Sequence, residues 1–502
     1  VKYDVILLGY DLGDNKKNGQ QLLEELRAKR LITRQCIVIM ITAEVSQSMV
    51  LAALEHKPDE YLTKPYTLKD LNTRLSRCLD KKIAMHAIYH AMDVKDHRMV
   101  IHLCDRAIKS DSLYKHECLG IKSRQHFNLK QFDEAKKIYD AYLGSVNCHW
   151  AALGLGKIAL IEQQYDIAEN YFQAIIDDNQ YYLSAYDWLA KTYQLTNQTE
   201  KAENILEDAL MVSPRSVSRL KEYAHLCFEN NQFEKATQAL SKTNELAHHS
   251  VHKNPDNALQ FVDSLLEHAQ ELGVGQIRRL NNKAFDVLSK TVRDFNNKEI
   301  KIITLFLTAR LHNKANEVSL AKANLNDGER LLDRYRNDLT VKGTFTIAKS
   351  LIALNRRKKA EYLLEALSQA YPDNMEILSQ VVELSDKPVS EQDKLAAQTA
   401  LEIGVSLYRA EHYVLAIDKL NQALSHFPNH IGIKLNLLQV LLVSFEKDPQ
   451  RINDFKQASV LIKQFKALTQ DSESHSRYLK LRSKYETLKT FNLQNTDIKK
   501  HF

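Results

Sequence analysis

The spacing of apolar residues changes near residue 80. Before that point, short continuous apolar runs alternate with amphipathic stretches. The runs lie at 5–8 and 36–42, a short third strand is predicted at 59–66, and the amphipathic stretches lie at 19–30, 46–57 and 67–79. A continuous apolar run is typical of a strand covered on both faces, and strands that alternate with helices indicate a parallel sheet. We therefore expect an α/β segment over residues 1–80, with its strands ending at Gly9, Thr42 and Lys64 and with Ser46 capping the second helix.

After residue 80 the apolar residues follow a helical period to the end of the chain. Ala168, Ala202 and Ala236 are 34 residues apart, and each lies in a similar helix–turn–helix pattern. The pattern is clearest in 184–216, and it recurs clearly in 400–429. A period of this length indicates stacked helix pairs. Small residues are expected where two helices cross, and large apolar residues are expected between successive pairs.

The pattern suggests five segments. We expect a sheet domain at 1–80, a repeat array at 81–247, an irregular helical segment at 248–340, a second repeat array at 341–430 and capping helices at 431–502. In this interpretation the loop 247–257 separates the first array from the irregular segment. The repeat pattern cannot be placed between 256 and 340, because the helical period there is longer.

Composition narrows the class of protein. Of 502 residues only 13 are Gly and 8 are Pro, which argues against a β-rich or disordered chain. The net charge of +6 is small for this length and does not by itself indicate nucleic acid. The longest apolar run, 36–43, is too short to span a membrane, and six cysteines without a C-x-x-C pair indicate free thiols. We expect a cytoplasmic protein whose native N-terminus precedes Val1.

No sequence motif points to catalysis. The chain has no phosphate-binding glycine loop, no dinucleotide fingerprint and no G-x-S-x-G. The densest histidine cluster, 247–252, has no cysteine at ligand spacing, so we expect no metal there. We therefore expect a non-enzymatic protein without catalytic residues.

Three short stretches of the sheet segment carry a family resemblance. The runs 5–13 ("VILLGYDLG"), 40–44 ("MITAE") and 60–65 ("EYLTKP") resemble the third, fourth and fifth strands of a bacterial response-regulator receiver domain. The resemblance covers the C-terminal half of that domain. It implies a partial, flavodoxin-like α/β fold, and it assigns Thr42, Tyr61 and Lys64 to the switch positions of the family.

The phosphoacceptor position of the family corresponds to Gly9. The family has an aspartate there, two acidic residues after an earlier strand that hold Mg²⁺, and a hydroxyl and a lysine that bind the phosphoryl oxygens. Glycine has no nucleophile, so we expect a degenerate receiver that is not phosphorylated and binds no cofactor. Mg²⁺ is expected only if an acidic pair precedes Val1. Asp11 is the alternative acceptor if the strand runs two residues further.

The helical units resemble tetratricopeptide repeats in period and in the placing of Ala and Gly. The resemblance implies a mainly α protein, an α-solenoid of helix pairs whose first helices line a concave face. The candidate partner-binding residues on that face are Arg124, Phe127, Trp150, Lys157, Lys191, His225 and Phe228. They predict a basic groove with aromatic patches, which suits an acidic peptide, a carboxylate terminus or an acidic helix.

Together the two resemblances favour a signalling adaptor of a bacterial two-component pathway. We expect a protein partner, namely a sensor kinase, another response regulator or a signalling enzyme. We expect no membrane and no nucleic acid, and self-association stays open. A response regulator switched by phosphorylation of Asp11 is one alternative, and a transcription regulator is the second, although no helix-turn-helix with a basic recognition helix is present.

Overall fold

The computed structural model describes residues 3–13, 17–43, 58–145, 148–269, 274–385, 391–427, 430–465 and 473–498. The chain divides into two compact units, Val1–Thr291 and Val292–Phe502. The division falls inside the irregular segment expected at 248–340, and the five segment boundaries stay predictions. The helix expected at 46–57, with Ser46 as its cap, lies outside the described residues.

The first unit begins with a three-stranded parallel sheet. The strands are β1 (Val5–Gly9), β2 (Ile37–Thr42) and β3 (Glu60–Thr63), in the order β1-β2-β3. Helix α1 (Gly19–Ala28) follows β1, and helix α2 (Leu68–Ala84) follows β3. The α/β segment and its parallel sheet are therefore confirmed.

Burial explains why β2 is apolar over residues 37–41. One face of the sheet packs Leu8, Val38 and Met40 against Leu23 of α1. On the other face Ile37, Ile39 and Ile41 pack against Cys78 of α2. Since β2 is the central described strand and is covered on both sides, apolar side chains there avoid the cost of burying polar groups. The one polar residue of the strand, Thr42, is its last.

The two described helices of the sheet domain, α1 and α2, begin at capping boxes. The Asn18 side chain accepts a hydrogen bond from the Gln21 backbone N–H, and Gln21 Oε1 accepts one from the Asn18 N–H. Thr67 and Asp70 form the same arrangement at the start of α2. These reciprocal bonds satisfy backbone donors that a helix leaves unpaired in its first turn.

All further described elements are helical, apart from one 3₁₀ turn at Arg336–Asp338. In chain order they are α3 (His86–Asp93), α4 (His97–Lys109), α5 (Lys115–Asn128), α6 (Phe132–Tyr142), α7 (His149–Ile161), α8 (Tyr165–Asp178), α9 (Leu183–Leu195), α10 (Thr199–Val212), α11 (Val217–Glu229), α12 (Phe233–Ala247), α13 (Pro255–His268), α14 (Val274–Phe295), α15 (Lys298–Lys314), α16 (Val318–Tyr335), α17 (Val341–Ala353), α18 (Arg357–Ala370), α19 (Met375–Leu384), α20 (Glu391–Arg409), α21 (Tyr413–His426), α22 (Ile431–Lys447), α23 (Ile452–Gln464) and α24 (Glu473–Ile498). The mainly α fold is confirmed, and α3–α12 form five consecutive helix pairs.

Small residues allow the two helices of each pair to approach closely. Ala135, Ala168, Ala202 and Ala236 lie on the second helices and are fully buried. On the facing helix α7, a Cβ added to Gly156 would lie 2.5 Å from the ring of Phe172. The spacing noticed in the sequence therefore marks helix crossings, and the tetratricopeptide-type α-solenoid is confirmed as the fold of the helical region.

The turn inside each helix pair contains a residue in the left-handed region. Lys130, Gln163, Asn197 and Asn231 have φ between 56° and 62° and are 33 or 34 residues apart. At Gln163 the backbone N–H donates to Leu160 O, and the next N–H, of Gln164, donates to Ala159 O. This Schellman arrangement ends the first helix and directs the chain into the second. We did not use this signal in the sequence.

The irregular segment owes its long period to long helices. Helices α14, α15 and α16 have 22, 17 and 18 residues, whereas α7–α11 have 13 or 14. The loop before α13 joins two packed helices of the first unit, because Thr237 Oγ1 of α12 lies 2.9 Å from Ser264 Oγ of α13. We had expected this loop to separate two segments.

In the second unit, helices α20–α24 share one apolar cluster. It contains Leu420 of α21, Leu437 and Leu441 of α22, Leu461 of α23 and Tyr485 of α24. The tail after residue 451 is therefore two helices packed on the preceding pair. Within the described residues, no helix combines the length and the apolar character needed to cross a membrane.

The close crossing at Gly156 gives a stability prediction. We expect Gly156→Ala to lower the free energy of unfolding by about 1–3 kcal/mol, because the new methyl overlaps the Phe172 ring. Gly120→Ala is the matched control: its Cβ would lie 3.7 Å from Trp150, an ordinary contact, and Ala favours a helix interior by about 1 kcal/mol over Gly. The measurement is urea unfolding followed by far-UV circular dichroism, and equal destabilisation by both variants would contradict the helix crossing.

Candidate functional site

The receiver residues expected from the sequence lie along one edge of the sheet. Gly9 pairs with Ile41, and the Tyr10 N–H that follows it donates to Ile41 O at 2.8 Å. Thr42 ends the neighbouring strand, and its carbonyl oxygen accepts from the Lys64 N–H at 2.8 Å. The carboxyl ends of all three strands therefore meet at this edge, as expected of a parallel sheet.

Steric crowding does not explain why the acceptor position is a glycine. A Cβ added to Gly9 would meet its nearest neighbours, Asp11 O and a Leu12 methyl group, at 3.6 Å, which is an ordinary contact. Asp11, the alternative acceptor, accepts a hydrogen bond from the Gly13 N–H at 2.9 Å through Oδ1. The carboxylate of Asp11 therefore stabilises the turn after β1.

The other switch positions differ in exposure. Thr42 is 4% exposed, whereas Lys64 is exposed to solvent. Tyr61 lies on β3 with its ring packed against the cluster of Leu8 and Leu23. The structure thus places the hydroxyl, the lysine and the aromatic residue at or beside the strand edge, and nothing in it tests their part in a switch.

Four of the seven groove residues line one cavity in the first unit. Arg124, Phe127, Trp150 and Lys157 surround a space of about 990 Å³ between the first helices of successive pairs. Arg124 is held by a hydrogen bond from its Nε to Gly120 O at 3.0 Å. Lys157 Nζ lies 4.6 Å from the centre of the Trp188 ring, which is close enough for a cation–π contact.

The remaining three predicted residues do not line this cavity. Lys191 is exposed on α9. His225 is 71% exposed, and its Nδ1 lies 3.3 Å from Glu229 Oε1. Phe228 packs edge to face on Phe233, with ring centres 5.3 Å apart. Their part in partner binding stays a prediction.

The aromatic residues of the groove also belong to the repeat core. Phe127 packs edge to face on Phe132 at 5.6 Å, which repeats the geometry of Phe228 across the same turn of another pair. Trp150 packs on Tyr139 at 5.9 Å. The aromatic wall of the cavity is therefore rigid, since its rings are fixed by contacts within and between helix pairs.

The receiver domain contacts the first helix pair. The backbone N–H of Arg34, in the loop before β2, donates to Asp93 Oδ2 at 3.1 Å, and the Arg34 guanidinium pairs with the same carboxylate. Next to it, Gln35 Nε2 donates to His86 O at 2.9 Å. We did not predict this contact.

A second set of contacts ties helix α1 to the fifth helix pair. Gln21 Nε2 donates to Leu246 O at 3.1 Å, and His252 Nε2 lies 2.6 Å from Glu24 Oε1. The Tyr10 hydroxyl accepts from Arg215 Nη1 at 3.4 Å. His252 is part of the histidine cluster 247–252, so one member of that cluster helps to hold the receiver domain on the helical region.

The groove continues beneath the receiver domain. A second cavity, of about 1050 Å³, shares Arg34, Lys95, Glu117 and Arg124 with the first. At their junction Glu117 pairs with Lys81 at 2.7 Å and accepts from the Tyr89 hydroxyl at 3.2 Å. Burial and the neighbouring Glu117 carboxylate raise the pKa of Tyr89, so the phenol stays protonated and continues to donate at neutral pH.

Comparison with known proteins agrees with the sheet geometry. Residues 1–76 match the family model of the response regulator receiver domain. A stretch of 79 residues is 40% identical to the transcriptional regulatory protein CiaR of Streptococcus pneumoniae, covering 16% of this chain and 33% of that protein. The chain thus spans about a third of the length of this curated relative.

Solved structures with similar folds are tetratricopeptide-type proteins of low identity. The C-terminal part of a repeat protein from Cytophaga hutchinsonii is 14% identical, with a TM-score of 0.36, and covers 59% of this chain and 98% of that chain. A tetratricopeptide repeat protein from Parabacteroides merdae is 13% identical, with a TM-score of 0.30, and covers 60% of this chain and 97% of that chain. The repeat assignment rests on the helix pairs themselves. The chain therefore combines a response-regulator receiver domain with a tetratricopeptide-type solenoid.

The two glycines near the strand edge give contrasting predictions. A Cβ added to Gly19 would lie 2.2 Å from Gly9 O, a backbone atom that cannot move without moving β1. We therefore expect Gly19→Ala to destabilise the sheet domain by about 1–3 kcal/mol, whereas Gly9→Ala should change its stability by less than about 0.5 kcal/mol. Hydrogen exchange of the β2 amides measures the sheet domain alone. Slow, unchanged exchange in Gly19→Ala would contradict the described approach of α1 to β1.

Proposed function

We propose that this chain is a non-enzymatic signalling adaptor of a bacterial two-component pathway, which binds a partner protein through the groove of its helical region. The observation that carries the proposal is the cavity that brings together Arg124, Phe127, Trp150 and Lys157. Two cationic side chains beside two rigid aromatic rings are suited to a polypeptide segment with acidic and apolar residues.

The receiver domain supplies the link to two-component signalling. In this proposal it is recognised by, or regulated through, other proteins of the pathway without being phosphorylated. The absence of a side chain at Gly9 supports this, because glycine has no carboxylate to accept a phosphoryl group. The hydrogen bond of Asp11 to the Gly13 N–H further supports a structural role for the other candidate acceptor.

The partner in this proposal is a sensor kinase, another response regulator or a signalling enzyme that presents an acidic segment. A role in transcription has less support. The relative named as a transcriptional regulatory protein is matched over only 79 residues and a third of its length. Duplex DNA binding with a steep dependence on salt would be needed to favour that role.

The groove proposal predicts the effect of charge reversal. We expect Arg124→Glu and Lys157→Glu to abolish recovery of a partner from a lysate of the source bacterium, because each places a carboxylate where an acidic segment binds. The control is Lys109→Glu, an identical charge change at an exposed position of α4 outside the cavity. Affinity capture with mass spectrometry is the measurement, and unchanged recovery with either groove variant would refute the groove.

The receiver proposal predicts that the chain is not phosphorylated. Incubation of the purified chain with acetyl phosphate and Mg²⁺ should leave its intact mass unchanged, because Gly9 offers no oxygen for an acyl phosphate. A mass gain that disappears in Asp11→Asn would instead identify Asp11 as the acceptor and establish the phosphorylation-switched alternative.

A further inference from the structure

Among the described residues that line the cavity beneath the receiver domain, cationic side chains outnumber anionic ones. Eight of these residues are Arg or Lys and four are Asp or Glu. The cationic residues are Arg27, Arg30, Arg34, Arg77, Lys81, Lys82, Lys95 and Arg124. The excess is local, because the whole chain of 502 residues has a net charge of only +6.

Each of the four carboxylates already has a cationic partner within the protein. The pairs are Asp59 with Lys82, Glu60 with Arg74 and Arg77, Asp93 with Arg34, and Glu117 with Lys81. The acidic side chains of the cavity are therefore engaged in ion pairs, and the positive excess is not neutralised by the lining itself.

The excess comes from both sides of the contact between the domains. Arg27 lies at the end of α1 and Arg30 follows that helix in the receiver domain, whereas Lys95 and Arg124 belong to the first two helix pairs. Burial lowers the pKa of Arg27; Asp59 partly opposes this effect and Arg34 adds to it. Like charges gathered around a partly enclosed space repel each other, so an anion bound between them would favour contact of the two domains.

We propose that an acidic polypeptide segment bound in the groove extends beneath the receiver domain and contacts Arg30 and Arg34. The receiver domain then forms part of the binding site, and binding of the segment tightens the docking of the receiver on the helical region. This inference rests on the proposed function, because it takes the same groove and names what completes it. A nucleic acid fits less well, because a dedicated nucleic-acid-binding protein is strongly basic, whereas this chain of 502 residues has a net charge of only +6.

The test measures binding of a fluorescein-labelled peptide of ten glutamates to the full chain by fluorescence anisotropy. The salt concentration is low, about 50 mM, so that contacts between charges are weakly screened. We expect Arg124→Glu and Arg30→Glu each to raise the dissociation constant at least about fivefold. Arg30→Gln, which removes the charge without reversing it, should lie between Arg30→Glu and the natural chain.

The control is Lys69→Glu, the same charge change in the receiver domain. Lys69 is exposed near the start of α2 and does not line either cavity. Twelve residues of helix separate it from Lys81, which is about 18 Å at the rise of an α-helix. We expect this variant to bind the peptide within about twofold of the natural chain.

Hydrogen exchange measures the coupling to docking. The peptide should slow exchange of the Arg34 amide, whose N–H donates to Asp93 across the domain contact, and it should do so less in Arg30→Glu. Circular dichroism establishes that each variant folds.

The outcomes separate this inference from the proposed function. Weaker binding by Arg124→Glu with unchanged binding by Arg30→Glu, or unchanged exchange at Arg34, would overturn the inference and leave the groove intact. Unchanged binding by Arg124→Glu would overturn the groove itself. Single-stranded DNA with the same number of charges serves as a competing ligand. If the chain binds this DNA more tightly than the peptide, the acidic polypeptide is overturned as the ligand.

Discussion

The close crossing of paired helices is the constraint on which the first unit depends. In four of the five pairs a fully buried alanine allows two backbones to approach, and at Gly156 the ring of Phe172 occupies the place of the missing methyl group. Protein interiors are packed densely enough that one added carbon is felt. Because the same crossing recurs about every 34 residues, the first helices of successive pairs lie side by side, and the space between their exposed faces is the groove.

This arrangement also gives the receiver domain two anchoring points. Arg34 contacts Asp93 in the first helix pair, and Glu24 contacts His252 after the fifth. The sheet domain thus touches the helical region at both ends of five consecutive pairs, and the cavities of about 990 and 1050 Å³ lie beside the contact of Arg34. A polypeptide that occupied both cavities would meet residues of both domains, which is the physical basis for the proposal that the receiver forms part of the binding site.

Sequence alone predicted those features that repeat or that follow a local pattern. The predicted ends of the strands agree with the observed ends within two or three residues. The agreement is best for β2, because its apolar run defines the strand clearly. The alanine spacing predicted the helix pairs. Arg124, Phe127, Trp150 and Lys157 share a cavity because they lie in neighbouring pairs, while Lys191 and His225 lie in later pairs and do not line it.

The contacts between the domains could not be read from the sequence. Arg34 and Asp93 are 59 residues apart, and His252 and Glu24 are 228 residues apart; no periodicity connects such pairs. The repeat pattern could not be recognised over the long helices α14–α16, because their lengths differ from the 13 or 14 residues of α7–α11. The left-handed turns were only partly visible in the sequence, because Asn197 and Asn231 are of a type that favours this conformation, whereas Lys130 and Gln163 are not.

A double-mutant cycle on Arg34 and Asp93 tests most directly whether the receiver domain is held on the helical region. The unfolding free energies of Arg34→Ala, Asp93→Ala and the double variant give the coupling between the two side chains. The described contact predicts a favourable coupling of at least about 0.5 kcal/mol. Effects that add without coupling would contradict it, since the two residues would then not meet in solution.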